Sequence, residues 1–137
     1  MLIPASDSVL VDTSAWIHYF RGNEPFCSKV GQLLDADRIC TTGIIIAELL
    51  QGAKSEKERR TLRNFPSVFP VIGEGANLWI DAGDLSARLR GQGLTIGLAD
   101  CFIAVVALKN QIPVLTEDRH FAELQQQTGL TIIRQND

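Results

Sequence analysis

The chain has 137 residues, of which 45% are hydrophobic and 21% are charged, and its formal net charge is −3. These values exclude disordered, collagen-like and disulfide-stapled chains, and they predict one globular domain over residues 1–137 that buries roughly two-thirds of its unfolded surface. The longest apolar runs fall short of the ~18 residues of a membrane span and no export-signal pattern precedes Arg21, so we expect a soluble, cytoplasmic protein without membrane contact.

The first half of the chain predicts a strand, an acidic residue and then a series of helices. The apolar run Val9–Val11 predicts a strand that stops at Asp12, after which Thr13 or Ser14 is expected to cap a helix. The segments expected to follow are a helix with an apolar stripe from Phe26 to Leu34, a strand at Arg38–Thr41, an apolar helix at Gly43–Gly52 and a helix from Ser55 to about Asn64.

The second half alternates helices with short apolar strands. Helical spacing over Leu78–Leu89 is followed by an apolar helix at Leu98–Asn110, a strand at Val114–Thr116, a short helix from His120 and a last strand at Thr131–Ile133. Strands that are separated by helices need crossover connections. The expected fold class is therefore α/β, with a mostly parallel sheet covered by helices on both faces.

Four acidic residues occupy places where sites form in such sheets, beyond the carboxyl ends of the strands. Asp12 directly follows the first strand and Asp118 lies two residues after the strand Val114–Thr116, while Glu48 and Asp100 lie on helices. Each also has a purely structural interpretation. Asp12 can be a turn residue, Asp118 a helix cap, Asp100 a partner of its helix dipole and Glu48 part of a narrow solvent-facing stripe.

These carboxylates need a partner if they share one cleft. At ~4 Å and an effective dielectric near 20, each like-charged pair costs about 4 kcal/mol, so the cluster requires a cation or protons. An all-oxygen site selects hard ions such as Mg²⁺ or Mn²⁺, which commonly serve phosphodiester chemistry. His18 and His120 lack zinc-hydrolase spacing and are interpreted as helix-surface residues, and Cys27, Cys40 and Cys101 as reduced, buried thiols.

Four segments resemble, in order, the motif blocks of the PIN-domain family, and in particular of the VapC-type toxins of bacterial toxin–antitoxin pairs. They are VDTSAW at Val11–Trp16, AELLQGA at Ala47–Ala53, LTIGLADCFIA at Leu94–Ala104 and LTEDRHF at Leu115–Phe121. The resemblance extends over almost the whole chain, with the four segments in the family's order. The resemblance implies a three-layer fold with a central, mostly parallel sheet of about five strands. It also implies a metal-dependent endoribonuclease in which water attacks phosphorus and the 3′ oxygen leaves.

The resemblance further implies which residues form the site. Asp12 and Asp100 would be the principal ligands of Mg²⁺ or Mn²⁺, with Glu48 and Asp118 ligating directly or through water, and all four would be catalytic. Glu117 adjoins Asp118 and is the alternative to it, although the Thr-x-Asp-x-x-Phe spacing favours Asp118. Supporting hydroxyl groups are expected at Thr13, Ser14 and Thr116.

The expected partners are RNA, a small cognate antitoxin and a second copy of the chain in a homodimer, all three as the resemblance implies. The basic side chains in residues 54–63 either contact RNA or form a salt-bridged, solvated helix. The candidate RNA contacts are Arg21, Lys54 and Arg119. Trp16, Phe20 and Trp79 are expected in the core, while an apolar surface along the first helices would receive the antitoxin.

Other classes fit the sequence less well. A non-catalytic PIN-like module that binds protein or RNA is the main alternative, and the retention of all four acids argues against it. An aspartyl-phosphate enzyme needs a second aspartate two residues after the first, where Ser14 stands. The chain also lacks the Gly-x-x-x-x-Gly-Lys loop that cradles phosphates in nucleotide-binding proteins.

Overall fold

A computed structural model describes residues 2–4 and 6–134 of the chain. Its strands are β1 (Val9–Val11), β2 (Ile39–Thr42), β3 (Val71–Ile72), β4 (Val114–Leu115) and β5 (Ile132–Ile133). Its helices are α1 (Thr13–Arg21), α2 (Phe26–Asp35), α3 (Gly43–Gln51), α4 (Glu56–Arg63), α5 (Phe65–Val68), α6 (Ala76–Gly91), α7 (Leu98–Asn110) and α8 (His120–Thr128). None of the helices in these ranges is both long and apolar enough to cross a lipid bilayer.

The strands form one sheet in the order β3-β2-β1-β4-β5, and every neighbouring pair is parallel. The central strand β1 is wholly buried, with Leu10 paired to Cys40 on one side and to Val114 on the other. A parallel strand covered on both faces needs apolar side chains on both, which explains its unbroken apolar run. The predicted α/β class and the sheet of about five parallel strands are confirmed.

The structure departs from the sequence-based elements at several places, which include one-residue shifts at the ends of β2 and β5. Strand β3 and the short helix α5 were not predicted, because Val71–Ile72 is only a two-residue run between Pro70 and Gly73. Strand β4 ends one residue before Thr116, which leaves that side chain at the sheet edge. The expected cap of α1 at Thr13 or Ser14 was wrong, since Asp12 is the N-cap residue.

The core lies between the sheet and its helices, with α7 at its centre. Six of the 13 residues of α7 are buried and four more are half-buried, as its largely apolar sequence predicts, and α6 packs along it. Trp16 belongs to this core at 1% exposure, but the prediction was wrong for Phe20 and Trp79, each of which is 46% exposed. Each of these rings stacks one face on a buried aromatic ring and leaves the rest of its surface accessible.

The three cysteines are free thiols, as expected. Cys40 and Cys101 are buried, whereas Cys27 is only half-buried. Burial raises the pKa of the Cys40 thiol to about 12 and also raises the pKa of Cys101. Both buried side chains are therefore neutral at physiological pH and act as small apolar core residues.

Candidate active site

The candidate active site lies where β1 and β4 end, side by side in the sheet. Leu10 pairs with Val114, and the Asp12 N–H donates to the Leu115 carbonyl at 3.1 Å. The chain leaves β1 at Asp12 and leaves β4 at Thr116, so parallel pairing brings these two side chains into contact across 104 positions of sequence. This is the edge at which sites form in open parallel sheets.

Asp12 is buried, and its carboxylate accepts three hydrogen bonds. Oδ1 accepts from the Ala15 N–H at 3.1 Å, which caps α1, and from the Ser14 hydroxyl at 2.7 Å. Oδ2 accepts from the Thr116 hydroxyl at 2.6 Å. Burial raises the pKa of Asp12 from 3.8 to about 6 even though these bonds favour the charged form, and the Asp100 carboxylate adds to the rise. A nearby cation would offset the free-energy cost of burying the charged Asp12 carboxylate.

The hydroxyls of Ser14 and Thr116 join Asp12 to the loop that follows β4. The Thr116 Oγ1 accepts the Asp118 N–H at 2.9 Å, and the Ser14 Oγ accepts the Glu117 N–H at 3.0 Å. The same two oxygens lie 3.4 Å apart. These bonds fix the backbone of the loop, so the position of Asp118 depends directly on the side chains around Asp12.

Glu48 reaches the same region from α3. This helix begins after β2 and is capped by Thr42, whose hydroxyl accepts the Ile45 N–H at 3.2 Å. Glu48 is half-buried, and its Oε1 accepts the Thr13 hydroxyl at 2.8 Å. Thr13 therefore supports Glu48, whereas the other two predicted hydroxyl groups support Asp12 and its loop.

Asp100 and Asp118 come together with a residue that the sequence analysis did not place in the site, His120. Asp100 lies in the first turn of α7, and its Oδ2 is 3.3 Å from the His120 Nδ1. The same nitrogen is 3.6 Å from the Asp118 Oδ1, and that oxygen accepts the His120 backbone N–H at 2.9 Å. Among the described residues, these three side chains place their possible metal-binding atoms within 4.8 Å of one another.

Both histidines lie on helices, as expected, with His120 exposed and His18 half-buried, but each also contacts a carboxylate, which the sequence did not predict. The signal for His120 was its spacing: a residue two positions after Asp118, where α8 begins, lies beside that carboxylate across the turn. His18 is half-buried, stacks on Phe26 at 5.4 Å between ring centroids and contacts the carboxylate of Glu117 through Nε2.

The two adjacent acids after β4 therefore have different surroundings. Glu117 is exposed and its carboxylate contacts His18. Asp118 is half-buried and faces Asp100 and His120. Of the alternatives that the sequence left open, the structure places Asp118 with the other acids.

Electrostatic interactions connect the four acids. The pKa of Asp100 is raised, first by burial, then by the Asp118 carboxylate and to a smaller extent by Glu48, while the His120 hydrogen bond opposes the rise. Asp100 in turn raises the pKa of Asp12. Asp100 is thus the residue through which all four carboxylates interact. Asp12 and Glu48 lie outside the compact group formed by Asp100, Asp118 and His120.

A groove of about 670 Å³ runs from Glu48 between α1, α3 and α4. Apolar side chains form much of its wall, and they include the exposed ring of Phe20. The apolar wall residues are Ile17, Phe20, Leu49, Ala53 and Leu62. The first helices thus carry an apolar surface, as expected, and it begins beside one of the four acids.

Basic side chains border this groove. Arg21, Lys54 and Lys57 line it together with Glu48. Farther along α4, Arg63 pairs with Glu56 at 3.1 Å, so part of the basic segment does form a salt-bridged surface. Arg119 is exposed and directly follows Asp118 in the chain. The three predicted RNA contacts therefore lie near the acids and not in the core.

Comparison with known proteins gives the family. Residues 9–126 match the PIN domain. The chain is 30% identical over 134 residues to the protein named ribonuclease VapC5 of Mycobacterium tuberculosis, covering 91% of this chain and 93% of that one. The structure of VapBC-1 from nontypeable Haemophilus influenzae is similar, with a TM-score of 0.70, 27% identity and coverage of 94% and 98%.

A second solved structure is described as VapBC-5 of Mycobacterium tuberculosis, a member of the VapBC family of toxin-antitoxin systems. It matches with a TM-score of 0.59 and 24% identity, over 95% of this chain and 99% of that one, which supports the same fold. The acids described above lie within the matched residues 9–126. The fold, its parallel strand order and the match over most of the chain show that this protein belongs to the PIN domain family.

Proposed function

We propose that this protein is a metal-dependent endoribonuclease that acts as the toxin of a toxin–antitoxin pair. The observation that carries the proposal is the convergence of Asp12, Glu48, Asp100 and Asp118 at one edge of the sheet, where the charge of Asp100 and the charges of the other three acids affect one another. The relatives named as ribonucleases support the reaction, and the VapBC structures support the toxin role. The match over residues 9–126 supports our proposal that residues 1–137 form one domain.

The side chains of the site fit a divalent metal ion. The donor set is rich in carboxylate oxygen, which Mg²⁺ and Mn²⁺ prefer. The pKa values of Asp12 and Asp100 are raised first by burial and further by neighbouring carboxylates, and a bound cation would offset both effects. We assign Asp12 and Asp100 as principal ligands, with Glu48 and Asp118 ligating directly or through water. A bound ion would lower the pKa of an attacking water and stabilise negative charge on the phosphate and the leaving 3′ oxygen.

The chain itself supplies preorganisation. The hydroxyls of Ser14 and Thr116 hold both oxygens of Asp12, and Thr13 holds Glu48. Each of these donors removes rotational freedom from a carboxylate before any ligand arrives. Acids that are held in this way lose little conformational entropy when the substrate binds, which is how supporting hydrogen bonds contribute to catalysis.

RNA must approach this acidic edge along a path of positive charge. We propose that Arg21 and Lys54, which border the groove beside Glu48, and Arg119, which follows Asp118, contact the phosphates. The overall charge of −3 makes such a local path necessary, because the molecule as a whole repels polyanions. These contacts would position the RNA without reading its sequence.

We propose that the cognate antitoxin inserts an apolar segment into the groove between α1, α3 and α4. The groove volume of about 670 Å³ and the exposed ring of Phe20 suit the apolar face of a short helix or an extended segment. We also propose that the protein forms a homodimer. Light scattering on the isolated protein tests this, because a dimer has twice the molar mass of the single chain.

The test is cleavage of a mixed RNA by purified protein, with and without EDTA, and with Mg²⁺ or Mn²⁺ added back. Asp100→Asn should abolish cleavage because it removes one principal ligand, while Glu117→Gln, a change of an adjacent acid that faces His18, should retain it. Loss of cleavage in EDTA and recovery with the metal ion are expected. Undiminished cleavage by Asp100→Asn, or RNA binding without any cleavage, would exclude this mechanism and favour the non-catalytic alternative.

A further inference from the structure

We infer that His120 is a direct nitrogen ligand of the metal ion, so that the site is of mixed oxygen and nitrogen type and selects Mn²⁺ over Mg²⁺. The inference rests on the proposed function, which supplies the carboxylate site, and it adds a fifth ligating residue and a choice of ion. Its evidence is the position of the His120 Nδ1 between two carboxylate oxygens, one from Asp100 in α7 and one from Asp118 in the loop before α8.

The distances suit a shared ion. The Nδ1 lies 3.3 Å from the Asp100 Oδ2 and 3.6 Å from the Asp118 Oδ1. An octahedral ion with ligand distances of about 2.1 Å separates neighbouring donor atoms by about 3 Å and opposite ones by about 4 Å. All three donor atoms lie within 4.8 Å of one another, so small side-chain adjustments bring them to ligand distance.

A hydrogen bond explains the arrangement less completely than a metal ion. The Nδ1 carries at most one proton, so it donates fully to only one of the two oxygens that face it. The Asp118 Oδ1 already accepts the His120 backbone N–H at 2.9 Å. This bond keeps the carboxylate of Asp118 close to the residue that carries the imidazole ring. A cation between the three atoms would satisfy both carboxylates and the nitrogen lone pair at once.

The backbone holds the ring where this role requires it. Asp118, Arg119 and His120 form the entry to α8, where the Phe121 N–H donates to the Asp118 carbonyl at 3.2 Å. Helix α7, which carries Asp100, packs against α8. The three donor side chains therefore come from two elements in mutual contact, and their separation is set by the packing of these helices.

The nitrogen donor determines the choice of ion. Mg²⁺ demands oxygen ligands in near-ideal octahedral geometry, whereas first-row ions such as Mn²⁺ accept imidazole nitrogen as well as carboxylate oxygen. Replacement of His120 by a side chain without a nitrogen lone pair should therefore weaken the binding of Mn²⁺ far more than that of Mg²⁺. We expect about tenfold or more for Mn²⁺ and less than about threefold for Mg²⁺.

The experiment is electron spin echo envelope modulation of the full chain loaded with Mn²⁺, which detects nitrogen that is coordinated to the ion. The variants are His120→Gln and, as the matched control, His18→Gln, which changes the other histidine that contacts a carboxylate of the loop after β4, that of Glu117 outside the acidic site. Wild type and His18→Gln should show ¹⁴N coupling to the Mn²⁺ ion, and this coupling should change to a ¹⁵N pattern when the histidines are labelled with ¹⁵N. His120→Gln should show no nitrogen coupling. Calorimetric titration with Mn²⁺ and with Mg²⁺ on the same three proteins measures the selectivity.

The outcomes separate this inference from the proposed function. Mn²⁺ that binds, is lost in Asp100→Asn and shows no ¹⁴N coupling in the wild type would overturn the role of His120 and leave the carboxylate site standing. Coupling that persists in His120→Gln would overturn it as well. Failure of the wild type to bind any divalent ion would overturn both the inference and the metal-dependent function.

Discussion

The burial of Asp12 predicts that the metal-free protein becomes less stable as the pH rises through the mildly acidic range. The unfolded chain releases the Asp12 proton near pH 3.8, whereas the folded chain retains it to about pH 6. Between these values the folded state binds more protons, so the free energy of unfolding falls as the pH increases. A difference of about two pKa units corresponds to about 3 kcal/mol, which is fully lost above about pH 6.

Asp12→Asn removes this titration. In EDTA at pH 7 the variant should be more stable than the wild type by up to about 3 kcal/mol, less a part for the altered hydrogen bond with Thr116. At pH 4 the advantage should vanish, because the wild-type side chain is then protonated in the folded state. Mn²⁺ should stabilise the wild type and leave the variant nearly unchanged.

The assay is urea unfolding followed by circular dichroism from pH 4 to pH 8, with EDTA and with Mn²⁺. Asp81→Asn, the same chemical change on the exposed surface of α6, is the control and should follow the wild-type pH profile. Parallel pH profiles for wild type and Asp12→Asn in EDTA would refute the reasoning, because the carboxylate would then have similar surroundings in the folded and unfolded states.

Three further predictions concern the support of the site, the sheet and the groove. Thr116→Val removes the donor to Asp12 and the acceptor of the Asp118 N–H, so urea unfolding should show a loss of about 1–3 kcal/mol, and RNA cleavage should fall. Gly73→Ala should destabilise the fold by about 2–4 kcal/mol in the same assay, because φ is +89° and the new Cβ would lie 2.8 Å from Val106. Phe20→Ser should weaken the binding of the proposed antitoxin, measured by calorimetry, by roughly 30-fold, since exposed aromatic rings dominate such interfaces.

Matched variants make these three predictions refutable. For Gly73→Ala the control is Gly31→Ala within α2, where a new Cβ meets nothing within 4 Å and stability should rise by about 0.5–1 kcal/mol. For Phe20→Ser it is Trp79→Ser, which changes an equally exposed ring outside the groove and should leave antitoxin binding intact. Equal effects within either pair, or full stability and activity of Thr116→Val, would contradict the structural interpretation.

The sequence predicted the elements whose patterns are long or strongly apolar. The buried strand β1 and the central helix α7 are examples, because burial on all sides leaves an uninterrupted apolar run. Strand β3 was missed because Val71 and Ile72 are too few to form a pattern, and only pairing with β2 makes them a strand. The exposure of Phe20 and Trp79 was likewise unpredictable, since it depends on which neighbouring helix covers each ring.

The sequence predicted which acidic residues form the candidate site, but it did not predict the contacts that their side chains make. Four acids after strands or on apolar helices were identifiable, since their positions relative to the elements follow from the chain order. The division of the hydroxyls, with Thr13 supporting Glu48 and Thr116 supporting Asp12, depends on side-chain directions that only the packed structure fixes. The position of His120 required the packing of α7 against α8, which no local pattern contains.

Glu48 belongs both to the acidic site and to the wall of the groove between α1, α3 and α4. Any polypeptide bound in that groove would therefore lie beside the acidic site and would block the approach of RNA sterically. Repression of this kind needs no relay of conformational change through the protein. Inhibition would end as soon as the bound segment dissociates or is degraded. The duration of inhibition would therefore be set by the lifetime of the inhibitor.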